Sequence, residues 1–347
     1  MNDARRFERI LVTGASGRLG ANLVKRLLER GEHVRALVIP DDPAEESLAG
    51  LATETVHGDL RDEKVVEAAV DGCDVIVHAA SLMAEAGLSP HFFYDVNCRG
   101  SFNVFHAAAE RADRISRFVY LSSTSAYAVH NTGPVITEDS PLNPLTLYGA
   151  TKAANETMLR TFHYRTGLPA VVLRPNFIMA CDEVLEGWRS DWVTGVLQSA
   201  DERYTCYQAA AAEPWRIVEQ AVVDPTQRVI PYGPDRRPWT WHVVDVRDAV
   251  HAVERAIESD QAIGETFCIA GPRPAPWDET VKYLCERLGE TCVEVDLPNH
   301  WHFEFDLTRA RTLLGYDPQF TIERMIDDGI AYREGRNIGV IPPAIPH

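Results

Sequence analysis

One short segment limits what this chain can fold into more than any other. Thr13-Gly14-Ala15-Ser16-Gly17-Arg18-Leu19-Gly20 lies between the β-branched run Ile10-Leu11-Val12-Thr13 and a helix-period run from Leu19 to Arg30 that Gly31 stops. Three glycines in seven residues are extravagant for a plain strand-to-helix turn. In this G-x-x-G-x-x-G spacing, Gly14 lets the strand turn sharply and Gly17 lets backbone amides approach a pyrophosphate. Gly20 lets the helix pack against the sheet. The helix N-terminus adds roughly half a positive charge. A strand, this loop and a helix in that order predict a dinucleotide site built from Gly14, Ser16, Gly17, Arg18, Leu19 and Gly20.

The alternation continues along the chain. Strands are expected at His33–Ile39, Thr55–His57, Val75–His78, Phe118–Leu121 and Ala170–Leu173, with helices at Asp62–Val70, around Asn97–Glu110, and at Leu147–Arg165. Strands spaced by helices call for a parallel sheet with right-handed crossovers, an α/β doubly wound Rossmann fold over residues 1–175. After Arg174-Pro175 the rhythm breaks. Residues 181–228 carry Trp188, Trp192, Tyr204, Tyr207 and Trp215 with little regular pattern, either a lid over the site or a packed apolar satellite. Strands at Arg228–Pro231, Trp241–Val244 and Glu265–Ala270 and helices at Asp245–Glu258, Trp277–Leu288, near Thr308–Leu314 and on to about Arg333 complete the chain. Residues 176–347 read mostly as a smaller substrate-binding lobe, some of whose segments return to the main sheet.

Charge and cysteines exclude several classes. Asp and Glu total 51 against 34 Lys and Arg, a net charge of −17 that repels nucleic acid and anionic lipid. The seven cysteines are scattered and form no C-x-x-C pair, so neither a disulfide framework nor a zinc ribbon is expected, and a cytoplasmic location is. The polar start Met1–Arg9 lacks an apolar secretory core, and no apolar run approaches the ~20 residues of a membrane span. His300-Trp301-His302 has no evident third ligand, so no metal site is expected. The sequon Asn155-Glu156-Thr157 falls in a helical pattern and is discounted.

A carboxylate ending the second strand would hold the ribose of NAD, and an arginine the extra phosphate of NADP. Ile39 does neither, Asp41 arrives late, and Arg18 could reach a phosphate. The reading favours NAD and leaves NADP open. Asp59 and Leu60, after the third strand, are placed to meet the adenine, or Asp59 caps a helix.

Tyr148-Gly149-Ala150-Thr151-Lys152 opens the long helix, and positions i and i+4 put Lys152 beside Tyr148. A phenol titrates near ~10, so acting as a base at neutral pH needs about three units of depression, roughly 4 kcal/mol. A cation at ~4 Å supplies about that much in a partly buried cleft and only about 1 kcal/mol in open water. Ser122, Ser123, Thr124 and Ser125 offer hydroxyls at the carboxyl end of the fifth strand, where open α/β sheets place ligands.

Together these motifs resemble the extended short-chain dehydrogenase/reductase superfamily, of the NAD-dependent epimerase/dehydratase type. The likeness covers nearly the whole chain, down to Gly315-Tyr316-Asp317-Pro318. It implies a catalytic set of Ser123, Tyr148 and Lys152. Tyr148 would act as general acid/base, Lys152 would lower its pKa and hold the nicotinamide ribose, and Ser123 would orient the substrate oxygen. It further implies cofactor contacts from Ala79, Ala80 (in His78-Ala79-Ala80), Asn97 and Pro175, and a homodimer through the long helices. The substrate end departs from the family's R-x-x-N-x-x-G: Arg174-Pro175-Asn176-Phe177-Ile178-Met179-Ala180 displaces the asparagine and lacks the glycine. Pro238 stands where the family grips a nucleotide diphosphate with arginine. Ser123, Asn176 and Phe177 are the expected substrate contacts.

The expected function is therefore NAD(P)-dependent hydride transfer at a secondary alcohol or ketone of a carbohydrate, sugar acid or related small molecule. An apolar, steroid-like ketone is the alternative. A non-catalytic NAD(P)-binding redox sensor is the alternative of another class.

Overall fold

The computed structural model describes residues 7–83, 87–127, 135–203, 213–298 and 300–344. Seven parallel strands form the main sheet: β1 (Ile10–Thr13), β2 (Val34–Val38), β3 (Glu54–His57), β4 (Val75–His78), β5 (Arg117–Leu121), β6 (Ala170–Pro175) and β11 (Thr266–Ile269). Their order is β11-β6-β5-β4-β1-β2-β3, so the chain winds outward in both directions from β1, as the alternating pattern predicted.

Period-2 alternation divides the strand residues between two cores. Leu11, Ile76, Phe118 and Tyr120 face one side. There α2 (Glu63–Val70), α4 (Ser101–Ala109) and α5 (Leu147–Thr166) pack on one another in sequence. Ile10, Val12, Val75, Val77, Val119 and Leu121 face the other, where α1 (Arg18–Glu29) packs against α9 (Val246–Glu258). Both faces are thus covered, which is why the strands read as continuous apolar runs.

The helix expected around Asn97 begins earlier. Ser89 caps α3 (Pro90–Tyr94), with Pro90 in the first turn where its missing N–H costs nothing. The chain then passes through a widened turn, Asp95–Gly100, into α4. A side chain at Gly100 would press to 2.9 Å from Leu60, so this turn lies directly against the loop after β3.

Residues 181–228 are more helical than their aromatic punctuation suggested. After β7 (Ile178–Met179) come α6 (Glu183–Glu186), α7 (Ser190–Arg203) and α8 (Pro214–Ala221). Val193 and Leu197, one turn apart on α7, are both buried, a spacing masked by the surrounding tryptophans. The remaining pieces are β8 (Arg228–Tyr232), β9 (Thr240–Trp241), β10 (Val244–Asp245), β12 (Ala275–Pro276), α10 (Trp277–Leu288), β13 (Cys292–Asp296) and α11 (Ile322–Arg333). The reading overlooked β13, whose Val295 is buried between exposed Glu294 and Asp296 and which pairs in parallel with β8.

Candidate active site

Backbone contacts shape the glycine loop. Gly14 has φ of 66°, and a Cβ there would meet the Ala80 backbone at 2.7 Å, so the Ala79–Ala80 segment after β4 lies directly on the loop. A Cβ on Gly20 would sit 2.0 Å from the Gly14 carbonyl oxygen. Gly17 caps α1 with extended backbone and no side chain in the way. The first-turn amides of a helix have no intrahelical acceptors, so this bare cradle fits the pyrophosphate of a dinucleotide.

Neighbouring side chains sort themselves. The Ser16 hydroxyl donates to Asp42 at 2.5 Å, and Asp42 also caps the turn Pro43–Leu48 by accepting from the Ala44 amide. Asp42, rather than Ile39 or Asp41, therefore brings a carboxylate to the phosphate loop. The sequence reading missed it, although an Asp-Pro turn start shortly beyond the strand was the available signal. Asp41 is held in the left-handed region at φ 59°. The Arg18 side chain, offered as a phosphate partner, is instead paired with Glu183 at 2.7 Å, where a carboxylate at the start of the insert outcompetes solvent.

Asp59 caps no helix: its carboxylate grips Arg61, which holds it below the usual carboxylate range, and Asp62 caps α2. Leu60 is buried. Asn97 spends its amide on the chain beyond β4, accepting from the Leu82 amide at 2.8 Å and donating to the Leu82 carbonyl at 2.9 Å. Pro175 ends β6 opposite Ile269. His78 joins Thr13 at 2.7 Å and Ser101 at 2.9 Å, and burial drives its pKa down to about 3, so it stays neutral.

The four hydroxyls after β5 divide just as clearly. Ser122 bonds Glu156, and Thr124 donates to the Asn176 side chain at 2.8 Å. Ser123 accepts from the Ser125 amide and hydrogen-bonds the Tyr148 phenol. That contact depends on Gly149: a Cβ there would lie 2.0 Å from the Ser125 carbonyl oxygen, so glycine lets the first turn of α5 press against this loop. Thr146 caps the helix by accepting from the Gly149 amide at 2.9 Å.

The Lys152 ammonium lies 5.5 Å from the Tyr148 ring centroid and donates to the Leu121 carbonyl at 2.7 Å. Lys152 is buried, and Tyr148 is partly so. The chain's own residues do not lower the phenol. Burial raises Tyr148 to about 12, the Ser123 bond pulling the other way, while burial lowers Lys152 to about 7 against the attraction of Glu156. Desolvation of the phenol outweighs the Ser123 bond.

Asn155 of the sequon is buried, donating to the Asn97 carbonyl at 2.8 Å and to the Tyr120 hydroxyl at 2.9 Å. At the substrate end, the Asn176 amide accepts from Thr124 and donates to the His242 carbonyl at 2.9 Å, so it serves the scaffold. Phe177 instead stands 53% exposed with φ of 36°. Such strain in a non-glycine residue concentrates at functional sites. Its ring lies 5.0 Å from that of Trp241, which packs edge-on to Trp192 at 5.0 Å and Trp277 at 4.9 Å. Trp188 is fully buried in the same cluster, which makes it part of the lobe's packed core. Tyr204 and Tyr207 lie outside the described residues.

Residues 10–182 match the model of the NAD dependent epimerase/dehydratase family. The chain belongs to that family. Among curated proteins, this epimerase/dehydratase-family chain is 35% identical over 177 residues to the 4-hydroxy-2-methyl-3-oxo-4-farnesyl-3,4-dihydroquinoline-1-oxide ketoreductase of Stigmatella aurantiaca, an alignment covering 50% of this chain and 52% of that one. It is 37% identical over 171 residues to sterol demethylase protein B of Methylococcus capsulatus, covering 49% and 51%. The chain thus spans about half the length of these curated relatives. A solved short-chain dehydrogenase/reductase superfamily protein from Agrobacterium tumefaciens, with bound NAD, shares the fold at a TM-score of 0.79 and 24% identity, covering 94% of this chain and all of that one. No helix among the described residues is long and apolar enough to cross a membrane.

Proposed function

We propose that this chain is an NAD-dependent oxidoreductase that interconverts a ketone and a secondary alcohol on a small, largely apolar molecule. The observation that carries the reading is the hydrogen bond between Ser123 and Tyr148, with Lys152 beside it, at the carboxyl edge of the sheet that also bears the glycine cradle. NAD, held by that cradle, would supply or accept the hydride. Ser123 would hold the substrate oxygen, and Tyr148 would exchange a proton with it. A phenol raised to about 12 stays protonated across the neutral range, so these residues hold it as the donor to a carbonyl and not as the base for an alcohol. The kept Ser-Tyr-Lys set also supports an enzyme over a redox sensor.

Phe177 supports an apolar substrate over a nucleotide sugar or sugar acid. It occupies the place where the family pattern carries asparagine, and it offers apolar area to whatever lies against the edge of β6. Burying a phenylalanine is worth about 1.5–3 kcal/mol. The test is a ketone panel with NADH. Cyclic apolar ketones should exceed sugar substrates at least tenfold in kcat/KM, and Phe177→Ala should raise KM for them roughly tenfold or more with kcat little changed. A preference for nucleotide sugars would overturn the apolar assignment. Tight NADH binding without turnover on any substrate would revive the sensor.

The cofactor choice rests on Asp42. Its carboxylate against Ser16 repels a 2′-phosphate, so NADH should outperform NADPH, and Asp42→Ala should narrow the preference at least tenfold. A wild-type preference for NADPH would refute this. A homodimer through α4 and α5 is part of the same proposal. Phe102 on α4 is 42% exposed and packs its ring 5.6 Å from Phe162 on α5, leaving an apolar face that light scattering would find paired.

A further inference from the structure

Glu156 sits on α5 one turn beyond Lys152, almost wholly buried, and its carboxylate joins three elements. One oxygen accepts from Arg174 Nε at 2.9 Å and from the Ser122 hydroxyl; the other accepts from Arg174 Nη2 at 2.6 Å. Ser122 is the residue before Ser123, just past the end of β5. Arg174 is the penultimate residue of β6, followed by Pro175, Asn176 and Phe177. The Arg174 guanidinium also donates to the Glu138 carbonyl at 3.1 Å and to the Tyr127 hydroxyl, and lies 4.9 Å from the Tyr127 ring centroid.

Stability alone is a weak reason for burying such a pair, because desolvating two charges consumes most of their attraction and apolar replacements often serve as well. What an apolar pair cannot do is hold a serine hydroxyl, a strand end and a helix in one fixed register. We propose that Glu156 is a positioning residue for the reaction, binding the ends of β5 and β6 to the helix that carries Tyr148 and so fixing Ser123 at the phenol. The proposal rests on the oxidoreductase reading above. The same carboxylate also counters the effect of burial on the Lys152 ammonium, favouring its charged form. Arg174 neutralises most of that charge, so the geometric role is the larger one.

The test compares Glu156→Gln, Ser122→Ala and Ser122→Thr with the parent in thermal midpoint, NADH affinity by fluorescence, and kcat and KM for the best ketone of the panel. Ser122→Ala removes one hydroxyl and leaves the ion pair standing, so it remains informative if Glu156→Gln does not fold. Expected are single cooperative melting transitions, NADH affinity within threefold of the parent, and kcat lower by at least tenfold in Ser122→Ala and 100-fold in Glu156→Gln. Ser122→Thr, which keeps a hydroxyl, should recover most of the Ser122→Ala loss. Folded variants with kcat within twofold of the parent would overturn the proposal. So would a kcat loss matched by an equal loss of NADH affinity, the mark of a merely structural part. Tyr148→Phe in the same series separates the two levels: if it retains turnover, the oxidoreductase reading itself has failed; if it alone is dead, only the role of Glu156 has.

Discussion

Tyr148→Phe is expected to lower turnover by about 10²–10⁴-fold, the range a positioned acid or base contributes, while NADH affinity stays close to that of the parent. The variant removes one oxygen from a partly buried ring, so the fold and the glycine cradle should be untouched and the loss should fall on kcat. The sign of the pH response follows from the same phenol. With its proton held to about 12, the phenol remains a donor through the neutral range, so ketone reduction should change there only as Lys152, lowered to about 7, loses its charge; alcohol oxidation by the phenolate should climb as pH rises. Stopped-flow rates with NADH and with NAD at several pH values test both directions. Near-normal single-turnover reduction by Tyr148→Phe would show that the proton comes from elsewhere.

Gly20→Ala should be the most damaging substitution in the cradle. Its Cβ would lie 2.0 Å from the Gly14 carbonyl oxygen and 2.8 Å from Ala15 Cα, and backbone atoms cannot swing aside as a flexible side chain can. Either α1 withdraws from the loop or the loop leaves β1. Overpacking of this kind costs about 1–3 kcal/mol and more where the neighbour is rigid. The variant should melt several degrees lower and bind NADH at least 100-fold more weakly, read by differential scanning calorimetry and fluorescence titration. Unchanged NADH affinity would mean that the loop does not hold the dinucleotide.

Local pattern carried most of the sheet into view. Gly14 and Gly20 signal a backbone requirement that a side chain would violate, and Ile10 to Thr13 or Val75 to His78 can be little but buried strands. The site was legible where a motif joins residues close in sequence, as with Tyr148 and Lys152. It was not legible where contacts cross the chain. Which of Ser122, Ser123, Thr124 and Ser125 meets the phenol is decided by Glu156, Asn176 and the shape of Gly149, none of them within twenty residues of that serine cluster. Asp42 escaped because the turn after β2 delivers it to Ser16 from outside the strand, and Arg18 misled because its partner, Glu183, lies 165 positions away. For Tyr148, likewise, spacing shows that an ammonium is near, while only the fold shows how much water both groups have lost.

The strand β11 pairs with β6 from far along the chain, with Thr266 opposite Val172 and Ile269 opposite Pro175. The two halves are consequently laced together. Removing everything after residue 175 would strip the outer edge of β6 of its hydrogen-bonding neighbour and invite the exposed edge to recruit another chain. Selectivity in such a scaffold is therefore transplanted most safely one loop side chain at a time, with the later strand kept as the native hem of the sheet.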